Sequence, residues 1–576
     1  MRISQSSLSS LMILALVATI VPATQAASPL PIAAEHAMVV SAHRLASQAG
    51  IDVLKRGGNA VDAAVAVGYA LAVTFPEAGN LGGGGFMTIR LRDGRKTFID
   101  FRETAPGAAT ATMFQNAKGE VQPALSQRGY LAAGIPGTVA GLELARQKYG
   151  TQSRPVLMKA AIRLARVGFV LDQGDADMLA DGADDFRKDA PSAAIFLANG
   201  VPRAAGTRLI QTDLARALQL IARNGAHAFY QGDIARKIVT ASQANGGIFT
   251  MVDFASYSAR ELAPLECNYR GWHMISAPPP SSGGTVLCET LNILEGYPIA
   301  ELGFNSAQGT HYLIEALRRA FHDRNLNLGD PSFVKFDATR FIAKSYAAQL
   351  RAAISADKAT PSASLPAPSG AKEGQNTTHY SIVDKDGNAV SVTYTLNDWF
   401  GARVVPAGTG ILLNDEMDDF SAKPGASNMF GLVEGANNAI APGKRPLSSM
   451  TPTIITRDDK LFMVVGTPGG SRIPTAVLQV VLNVLDHKMT LQEAVDAPRI
   501  HQQWMPDVTY YEHNALSIDT RNLLTQKGHT LEEVGYGNHI AAIIIGAPGL
   551  GHKPLGNKTL YGSIDPRLNL GAVAGY

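Results

Sequence analysis

The feature that most constrains this chain is an abrupt change of pattern near residue 376, where a polar loop meets a β-hairpin. Residues 355–375 are rich in Ala, Ser and Pro and show no hydrophobic period, so this segment is expected to be an exposed loop. The two runs that follow, 380–383 and 389–396, are β-branched and aromatic. They flank a turn that contains Gly387, and this pattern predicts a hairpin.

The rigid part of the hairpin begins with a threonine, which would suit a chain that is cut between Asn376 and Thr377. Cleavage at that bond would make Thr377 an N-terminal residue. An N-terminal threonine pairs a hydroxyl nucleophile with its own α-amine as general base. Most threonines at a loop-to-strand boundary are ordinary sheet or capping residues, so the motif alone does not establish a nucleophile.

Residues 1–26 have the pattern of a secretory signal. Arg2 supplies the positive charge, 11–21 form the apolar run, and Thr24-Gln25-Ala26 resembles a cleavage site. The apolar run is shorter than the ~20 residues that span a bilayer. We therefore expect an exported, periplasmic or secreted protein without a stable membrane anchor, although a buried N-terminal helix is the alternative. The formal net charge of +2 gives no reason to expect nucleic acid as a partner.

Cys267 and Cys288 are the two cysteines of the chain. The pattern around them places the first on a strand and the second on the following helix. In an oxidising compartment they could pair, but the sequence leaves the bridge open. Both are interpreted as structural.

Hydrophobic periodicity predicts helices and strands on both sides of the hairpin. Asn59 is expected to cap a helix over 60–73 that is apolar on every side and therefore belongs in a large core. Asp62, its one charge, is expected to be a partnered structural residue. The other predicted helices cover 41–56, 137–147, 155–167, 212–223, 233–241, 311–324 and 473–485 and one begins at Thr285, while strands are predicted at 86–91, 97–101, 269–275, 410–414, 453–456 and 461–465.

The glycine-rich segment 79–85 precedes a strand and contains no lysine, so it does not fit a phosphate-binding loop. These glycines are expected to allow close approach of another segment. His311 and His322 are too far apart for ligation from adjacent helical turns, and both are interpreted as structural. No Gly-x-Ser-x-Gly motif occurs in the chain, which argues against an α/β-hydrolase.

Several polar segments have both a functional and a structural interpretation. Arg102, at a strand end, is either an ion-pair residue or a carboxylate clamp. Gly469 and Gly470 precede a helix, so their N–H groups could form an oxyanion hole or simply a tight turn. The segment 421–439, with Phe430 at its centre, has the length and composition of a lid.

Six segments together resemble the γ-glutamyltranspeptidase (γ-glutamyltransferase) family of the N-terminal-nucleophile hydrolase superfamily. Each is weak alone, but they occur together and in order, and the similarity runs from about residue 34 to residue 576. They are, in chain order, 57–64 (GGNAVDAA), 100–103 (DFRE), 278–284 (PPPSSGG), 377–380 (TTHY), 445–450 (RPLSSM) and 468–472 (PGGSR).

The resemblance implies an α/β (α+β) fold, an αββα four-layer sandwich that forms one interlocked unit. It implies a precursor that cleaves itself between Asn376 and Thr377. The large subunit would be 27–376 and the small, catalytic subunit 377–576, and the two would remain associated as a heterodimer. No metal and no organic cofactor are implied.

The resemblance also implies a role for each site residue. Thr377 would attack the γ-carbonyl of glutathione or another γ-glutamyl compound, and Thr395 would position it and support self-cleavage. The γ-glutamyl group would then pass to water, an amino acid or a dipeptide. The remaining roles would be an oxyanion hole (Gly469, Gly470), a site for the α-carboxylate (Arg102, Ser448, Ser449), a site for the α-ammonium (Asn397, Glu416, Asp419) and a lid (Phe430).

Phe430 stands where many bacterial relatives carry a tyrosine, so the sequence does not settle how a lid would close. Two alternatives remain open. One is a glutaryl-cephalosporin (β-lactam) acylase of the same superfamily, which would share the nucleophile and the processing. The other is an uncleaved periplasmic binding protein for γ-glutamyl peptides.

Overall fold

The computed structural model describes residues 28–365, 377–535, 537–546 and 558–576. The predicted secretory signal and the cleavage-site residue Asn376 lie outside the described residues. The strands of the described ranges are β1 (Ile32–Ala34), β2 (Met38–Ser41), β3 (Gly84–Arg90), β4 (Lys96–Asp100), β5 (Phe169–Val170), β6 (Leu197–Ala198), β7 (Val201–Pro202), β8 (Arg208–Leu209), β9 (Arg260–Leu262), β10 (Leu265–Tyr269), β11 (Trp272–Ser276), β12 (Thr378–Val383), β13 (Ala389–Thr395), β14 (Thr453–Arg457), β15 (Lys460–Gly466), β16 (Ile500–His501), β17 (Thr509–Glu512), β18 (Leu531–Val534), β19 (Ala541–Ile545), β20 (Leu560–Ile564) and β21 (Ala572–Gly575).

The helices of the same ranges cluster before β12 and after β15. They are α1 (Arg44–Lys55), α2 (Ala60–Thr74), α3 (Pro123–Gln127), α4 (Thr138–Tyr149), α5 (Arg154–Val167), α6 (Gln173–Asp181), α7 (Ala183–Phe186), α8 (Ala190–Phe196), α9 (Thr212–Asn224), α10 (Ala226–Tyr230), α11 (Asp233–Ala244), α12 (Met251–Ser256), α13 (Gly283–Leu294), α14 (Ile299–Leu302), α15 (Ala307–Asn327), α16 (Ala338–Phe341), α17 (Lys344–Ala352), α18 (Ile473–Leu485), α19 (Leu491–Asp496) and α20 (Ile518–Gln526).

Two antiparallel sheets of seven strands each form the centre of the molecule. One sheet has the order β21-β2-β12-β13-β3-β4-β9, and the other has the order β1-β20-β19-β15-β14-β11-β10. The predicted hairpin, β12 and β13, lies in the middle of the first sheet, where β12 pairs with β2 and β13 pairs with β3. Each strand of the hairpin is therefore hydrogen-bonded on both sides.

Three apolar cores separate the layers. The outer face of the first sheet packs against helices that include α1, α2, α4, α5 and α9. The outer face of the second sheet packs against α13, α15, α18 and α19. A third core, which includes Met38, Val40, Ile454 and Ile543, lies between the sheets. This is the predicted αββα sandwich.

Strand β12 shows how the alternation of side chains divides these layers. Tyr380 and Ile382 point into the helical core on the outer face. The intervening Ser381 points the other way, and its hydroxyl donates to the carbonyl oxygen of Ala541 in the second sheet (3.0 Å). The small polar residues between the hydrophobic ones thus join the two sheets.

Most predicted elements are confirmed within a few residues, including the apolar helix α2, all of whose residues are buried. Asn59 caps it in a capping box with Asp62. Asp62 also accepts hydrogen bonds from the backbone of Thr151 and Gln152, so its structural role is confirmed. No helix in the described part of the chain is both long and apolar enough to cross a membrane.

One predicted strand is wrong. The segment 410–414 is not a strand, because it forms only an isolated bridge between Leu413 and Gly82. Most residues in the described part of the predicted exposed loop, 355–365, are exposed, but Ser362 is fully buried. The indole of Trp504 donates to the Ser362 carbonyl (3.2 Å), and Asp507 accepts from its backbone N–H (2.7 Å).

The two cysteines form a disulfide bridge. Cys267 lies on β10 and Cys288 on α13, with their Cα atoms 6.0 Å apart. This agrees with the predicted placement on a strand and the next helix. The bridge ties the edge of the second sheet to a helix of its outer layer.

Candidate active site

Thr377 directly precedes β12, at the end of the central hairpin where a cavity opens between the sheets. The adjacent pairing of Thr378 with Tyr394 places Thr377 beside the C-terminal end of β13. Thr377 is only 4% exposed, but it is one of the residues that line the cavity. The hydroxyl is therefore presented to an enclosed space by a strand that is fixed on both edges.

Thr395 ends β13 and is held by a buried amide. Asn80 donates from its side chain to the Thr395 carbonyl (2.8 Å) and accepts from the Gly83 N–H (3.0 Å) and the Thr138 hydroxyl (2.6 Å). A Cβ at Gly83 would overlap the same carbonyl oxygen. The glycine-rich segment thus allows close approach to the β-hairpin, as predicted.

Asn397 follows Thr395 in a left-handed backbone conformation, with φ of 82°. Its N–H donates to the Thr395 hydroxyl (2.8 Å), and its side-chain amide donates to the Asp415 carbonyl (3.1 Å). Asparagine is one of the few side chains that tolerate this conformation. The turn therefore brings Asn397 to the cavity wall next to Thr395.

Gly469 and Gly470 form a turn between β15 and α18, with positive φ angles of 132° and 54°. A side chain at either position would strain the backbone. The amide of Asn538 donates to the Pro468 carbonyl (2.6 Å) and packs against Gly469. The turn is therefore held rigid at the start of a helix, where backbone N–H groups lack helical partners.

The cavity has an empty volume of about 290 Å³, part of it open to solvent, and collects residues from segments that are far apart in the chain. Among the predicted site residues that the structure describes, Gly469 alone is not part of the lining, and it is bonded to Gly470, which is. The lining consists of Arg102, Arg324, Thr377, Thr395, Asn397, Glu416, Asp419, Phe430, Leu432, Leu447, Ser448, Ser449, Met450, Gly470 and Ile473.

Arg102 is fully buried at one side of this cavity and is paired with carboxylates. Its two terminal nitrogens donate to Glu416 and Asp419, and its Nε donates to the Pro446 carbonyl (3.3 Å). The guanidinium and the two carboxyl groups predicted to bind opposite ends of a substrate thus contact one another in this structure. Burial lowers the pKa of Arg102, but these two carboxylates and Glu103 raise it above its usual value.

Glu103 is a buried carboxyl that the sequence did not single out. Its Oε2 atom lies 3.8 Å from the Nη1 atom of Arg102. Burial raises the pKa of Glu103 to about 7, against the opposing effect of Arg102. Burial likewise raises the pKa of Glu416 well above its usual value, and the neighbouring carboxylates add to the effect.

Ser448 and Ser449 are fixed through their backbone by the turn that precedes α13. The Ser448 N–H donates to the Pro280 carbonyl, and the Ser282 N–H donates to the Ser448 carbonyl (both 2.8 Å). The hydroxyl of Ser282 donates to the same carbonyl (2.7 Å). The Pro/Ser/Gly motif at 278–284 thus orients the two serines.

Phe430 lies at the tip of the predicted lid and is buried. Its ring packs directly against Gly470, where a Cβ would overlap it. The 421–439 segment is closed at its base by a bridge between Ser421 and Ala439. Phe430 and Leu432 of this segment line the cavity, and the contact between Phe430 and Gly470 is apolar.

His379 lies two residues from Thr377 but is enclosed between the sheets. Its ring bonds to the hydroxyls of Thr393 (2.8 Å) and Ser381 (3.1 Å) and packs against Gly466. Burial lowers the pKa of His379 to about 3. It is a neutral packing residue that supports the strand leading to the glycine turn.

The sequence predicted the residues at the cavity surface better than the residues behind them. It missed Asn80, Glu103, Arg324 and Asn538, which hold or line the site through contacts between distant segments. For Glu103 the DFRE motif was the available signal, and for Asn80 it was the glycine-rich segment. For Arg324 and Asn538 only the fold reveals the contact.

The four-layer αββα fold, with a threonine at the start of a central strand and a glycine turn at the same cavity, defines the class of N-terminal-nucleophile hydrolases. The family model described as gamma-glutamyltranspeptidase matches residues 46–575. This chain is 60% identical over 552 residues, 96% of each chain, to the glutathione hydrolase proenzyme of Pseudomonas sp. (strain A14). It is 47% identical over 548 residues to the glutathione hydrolase proenzyme of Escherichia coli (strain K12), covering 95% of this chain and 93% of that one. The chain belongs to the γ-glutamyltranspeptidase family.

Solved structures agree with this assignment. A cephalosporin acylase from Bacillus halodurans matches with a TM-score of 0.82 at 26% identity, covering 96% of this chain and 98% of that chain. Helicobacter pylori gamma-glutamyltranspeptidase matches with a TM-score of 0.56 at 42% identity, covering 60% of this chain and 97% of that chain. The predictions of the fold and of an autoprocessing γ-glutamyltranspeptidase/hydrolase are confirmed, and the chain is an enzyme.

Proposed function

We propose that this enzyme takes the γ-glutamyl group from glutathione or a related γ-glutamyl compound and passes it to water or to an amino acid or dipeptide. The observation that carries the proposal is the shared cavity. It joins Thr377, a glycine turn and side chains of both charges within about 290 Å³. A zwitterionic glutamate head needs donors for its carboxylate and acceptors for its ammonium, and the cavity supplies both.

Self-cleavage between Asn376 and Thr377 would first create the α-amine. The Thr377 oxygen then forms a bond with the γ-carbonyl carbon of the donor, and the hydroxyl proton moves to the α-amine. The negative charge that develops on the carbonyl oxygen is placed at the N–H groups of Gly469 and Gly470. Collapse breaks the C–N bond, and the leaving amine takes the proton from the Thr377 amine.

The product of this step is a γ-glutamyl ester of Thr377. A water molecule or an acceptor amine attacks the ester carbon, and its proton passes through the α-amine to the Thr377 oxygen as the ester bond breaks. Hydrolysis releases glutamate, and transfer releases a new γ-glutamyl amide. Either route restores the threonine.

Substrate binding requires the internal ion pairs to rearrange. The α-carboxylate is assigned to Arg102, Ser448 and Ser449, and the α-ammonium to Asn397, Glu416 and Asp419. Because Arg102 already contacts Glu416 and Asp419, a zwitterion can insert its two charges into this existing pattern. Because a zwitterion carries no net charge, the net charge of the site does not change when it fills, which limits the cost of burying the substrate.

The subunit organisation is also a proposal. The large subunit is 27–376 and the small subunit 377–576, which stay together as a heterodimer after export to the periplasm or the medium. The Helicobacter pylori chain gives support, because almost its whole length covers 60% of this chain, close to the share of 27–376. The signal-like pattern of residues 1–26 supports export.

The test of the nucleophile compares the purified protein with Thr377→Ala on a denaturing gel, with intact-mass analysis of each band. We expect two bands in the wild type, the smaller one beginning at Thr377, and a single band without activity in the variant. Full-length protein in both samples would remove the α-amine from the mechanism and favour the uncleaved binding protein.

The acylase alternative is tested with two chromogenic donors, γ-glutamyl-p-nitroanilide and glutaryl-p-nitroanilide. The glutaryl compound lacks the ammonium that Glu416 and Asp419 are placed to accept. We expect a clear preference in kcat/KM for the γ-glutamyl compound. A preference for the glutaryl compound would instead support the acylase.

A further inference from the structure

Arg324 is a second buried arginine of the cavity wall, and the mechanism above does not use it. It lies near the end of α15, is 1% exposed and lines the same cavity as Thr377. Its nitrogens donate to the Ser282 hydroxyl (3.2 Å), the Asn325 side chain (3.0 Å) and the Ser449 hydroxyl (3.4 Å). It also forms an ion pair with Glu434.

The contact with Ser449 fixes the direction in which that hydroxyl can act. A guanidinium only donates hydrogen bonds, so the Ser449 oxygen accepts from Arg324 and its own proton is left to donate elsewhere. Ser448 is arranged in the same way, because its hydroxyl oxygen accepts from the Met450 N–H (3.1 Å). Both serines are thereby prepared as donors, which suits an anion in the cavity.

The charge of Arg324 matters because Arg102 is already occupied by two carboxylates. A substrate carboxylate that approached Arg102 alone would compete with Glu416 and Asp419. Arg324 is paired with one carboxylate, that of Glu434, whereas Arg102 contacts two, and it adds a second guanidinium on the side of Ser449. Because Arg324 is buried, its charge is weakly screened by solvent.

Arg324 also connects three segments that surround the cavity. Ser282 belongs to the turn before α13, Ser449 to the wall, and Glu434 to the lid segment 421–439. Glu434 in turn accepts from Asn438, whose amide also donates to the Asp419 carbonyl (2.6 Å). Arg324 therefore ties the carboxylate-binding serines to the base of the lid.

We propose that Arg324 is a positioning residue for the α-carboxylate of the γ-glutamyl donor, acting by orienting the Ser449 hydroxyl and by its charge. This inference rests on the proposed function, because it deepens the account of the same site. Its signature is a loss of donor binding that depends on the presence of an α-carboxylate. A merely structural role would affect every donor alike.

The experiment uses the cleaved enzyme, Arg324→Gln and three p-nitroanilide donors. The γ-glutamyl donor carries both charges, the glutaryl donor keeps the carboxylate alone, and the 4-aminobutyryl donor keeps the ammonium alone. We expect Arg324→Gln to raise KM for the γ-glutamyl donor roughly tenfold or more, as the loss of a hydrogen bond to a charged group does. The change in kcat should be small.

The test compares how far Arg324→Gln lowers kcat/KM for each donor. The glutaryl donor should lose about as much as the γ-glutamyl donor, and the 4-aminobutyryl donor should keep nearly the wild-type kcat/KM. An equal fall for all three donors would overturn the proposal. Arg319→Gln is the matched control, since Arg319 is a buried arginine of the same helix that is not part of the cavity lining, and it should affect all three donors equally.

A second variant keeps the test decisive if Arg324→Gln does not fold. Arg324→Lys retains the charge but not the planar fork, so it should show a smaller loss that is confined to the two carboxylate-bearing donors. In the double variant, Arg324→Lys should lower kcat/KM little further than Ser449→Ala does alone. If the losses of the two single variants added fully, Arg324 would not act through Ser449. Absence of cleavage or of γ-glutamyl turnover in the wild type would defeat the proposed function itself, and is thus distinguishable from a failure of Arg324.

Discussion

At the scale of single residues, the site is a buried set of charges that satisfy one another. Arg102 bridges Glu416 and Asp419 within the protein, so the pocket holds its binding groups in place without a ligand. The side chains are already ordered before substrate arrives, so binding exchanges their internal ion pairs for pairs with the substrate and avoids part of the entropy cost of ordering them. It also means that removing one partner leaves another buried charge without compensation.

Asp419→Ala tests the assignment of the ammonium site. We expect KM for γ-glutamyl-p-nitroanilide to rise about 10- to 100-fold, because a charge-assisted hydrogen bond is worth about 1.5–3 kcal/mol. Self-cleavage should remain intact, since an ammonium site plays no part in rearranging the peptide bond. The readouts are steady-state kinetics and a denaturing gel.

Glutaryl-p-nitroanilide serves as the control donor for this variant, because it has no ammonium to lose. Its kcat/KM should change far less than that of the γ-glutamyl donor. An uncleaved Asp419→Ala precursor would show that Asp419 belongs to the processing machinery instead.

Glu103→Gln tests the effect of a buried carboxyl on stability. The pKa of Glu103 is raised by burial from 4.5 to about 7, so the folded state holds a proton that the unfolded state releases. The contribution of Glu103 to the free energy of unfolding is fully present below pH 4.5. It is lost as pH rises through 7, by up to about 1.4 kcal/mol per pH unit. The wild type should therefore lose stability over this range more steeply than Glu103→Gln.

Denaturant unfolding at several pH values measures this slope. Glu143→Gln is a control in which the pKa of the replaced carboxyl is shifted in the opposite direction. Burial raises the pKa of Glu143, but Arg154 and Arg146 lower it to about 2. The variant should therefore be less stable than the wild type at every pH above 4.5, and the pH dependence that it removes should lie on the acid side of pH 4.5. Equal slopes for the wild type and Glu103→Gln between pH 4.5 and 7 would refute the protonated Glu103.

At the scale of elements, short turns at the ends of strands and helices position the chemistry. The Gly469–Gly470 turn depends on positive φ angles, and the turn before α13 holds the backbone of Ser448. Helix α13 is anchored to the sheet edge by the Cys267–Cys288 bridge. The serines of the site are thus connected to a covalent tether through one helix.

Removal of this bridge tests its contribution. Cys267→Ala combined with Cys288→Ala should lower the free energy of unfolding by about 3 kcal/mol, the chain-entropy value for a loop of this size, given a sequence separation of 21 residues. The measurement is the midpoint of urea unfolding under oxidising conditions. The wild type with added reductant should approach the variant, and identical midpoints for oxidised wild type and variant would show that the bridge does not stabilise the fold.

At the scale of the whole molecule, the two predicted subunits are woven into the same sheets. In the first sheet β12 and β13 belong to 377–576 but pair with β2 and β3 of 27–376. In the second sheet β14 of the small subunit pairs with β11 of the large one. Separation would expose strand edges and the apolar cores on either side, which is costly in water.

Separate expression of 27–376 and 377–576 tests this interlocking. We expect each chain alone to be insoluble or unfolded by circular dichroism, whereas the mature enzyme should elute as one species from a size-exclusion column in native buffer and give two chains after denaturation. Full-length Thr377→Ala is the control, because it should fold without cleavage. A soluble and folded 377–576 chain would contradict the account of the shared sheets.

Sequence reasoning succeeded where one local pattern dictates one structure. The β-branched and aromatic runs 380–383 and 389–396, with a glycine-containing turn between them, predicted the hairpin, and Asn59 predicted the cap of α2. It failed at 410–414, because an apolar run resembles a strand whether or not a neighbour is available to pair with it. It also failed at Ser362, where burial is decided by Trp504 and Asp507, well over a hundred residues away in the chain.

The sequence by itself determined the family, the fold class and most side chains that face the cavity, because short motifs such as RPLSSM and PGGSR encode local turns and reactive groups. Only the tertiary structure decided how those groups are paired. It showed that Arg102 contacts both Glu416 and Asp419, that Phe430 covers Gly470, and that Arg324 reaches Ser449. The reason is physical: local patterns fix φ, ψ and the face on which a side chain lies, whereas ion pairs, burial and raised pKa values depend on which distant segments the fold brings together.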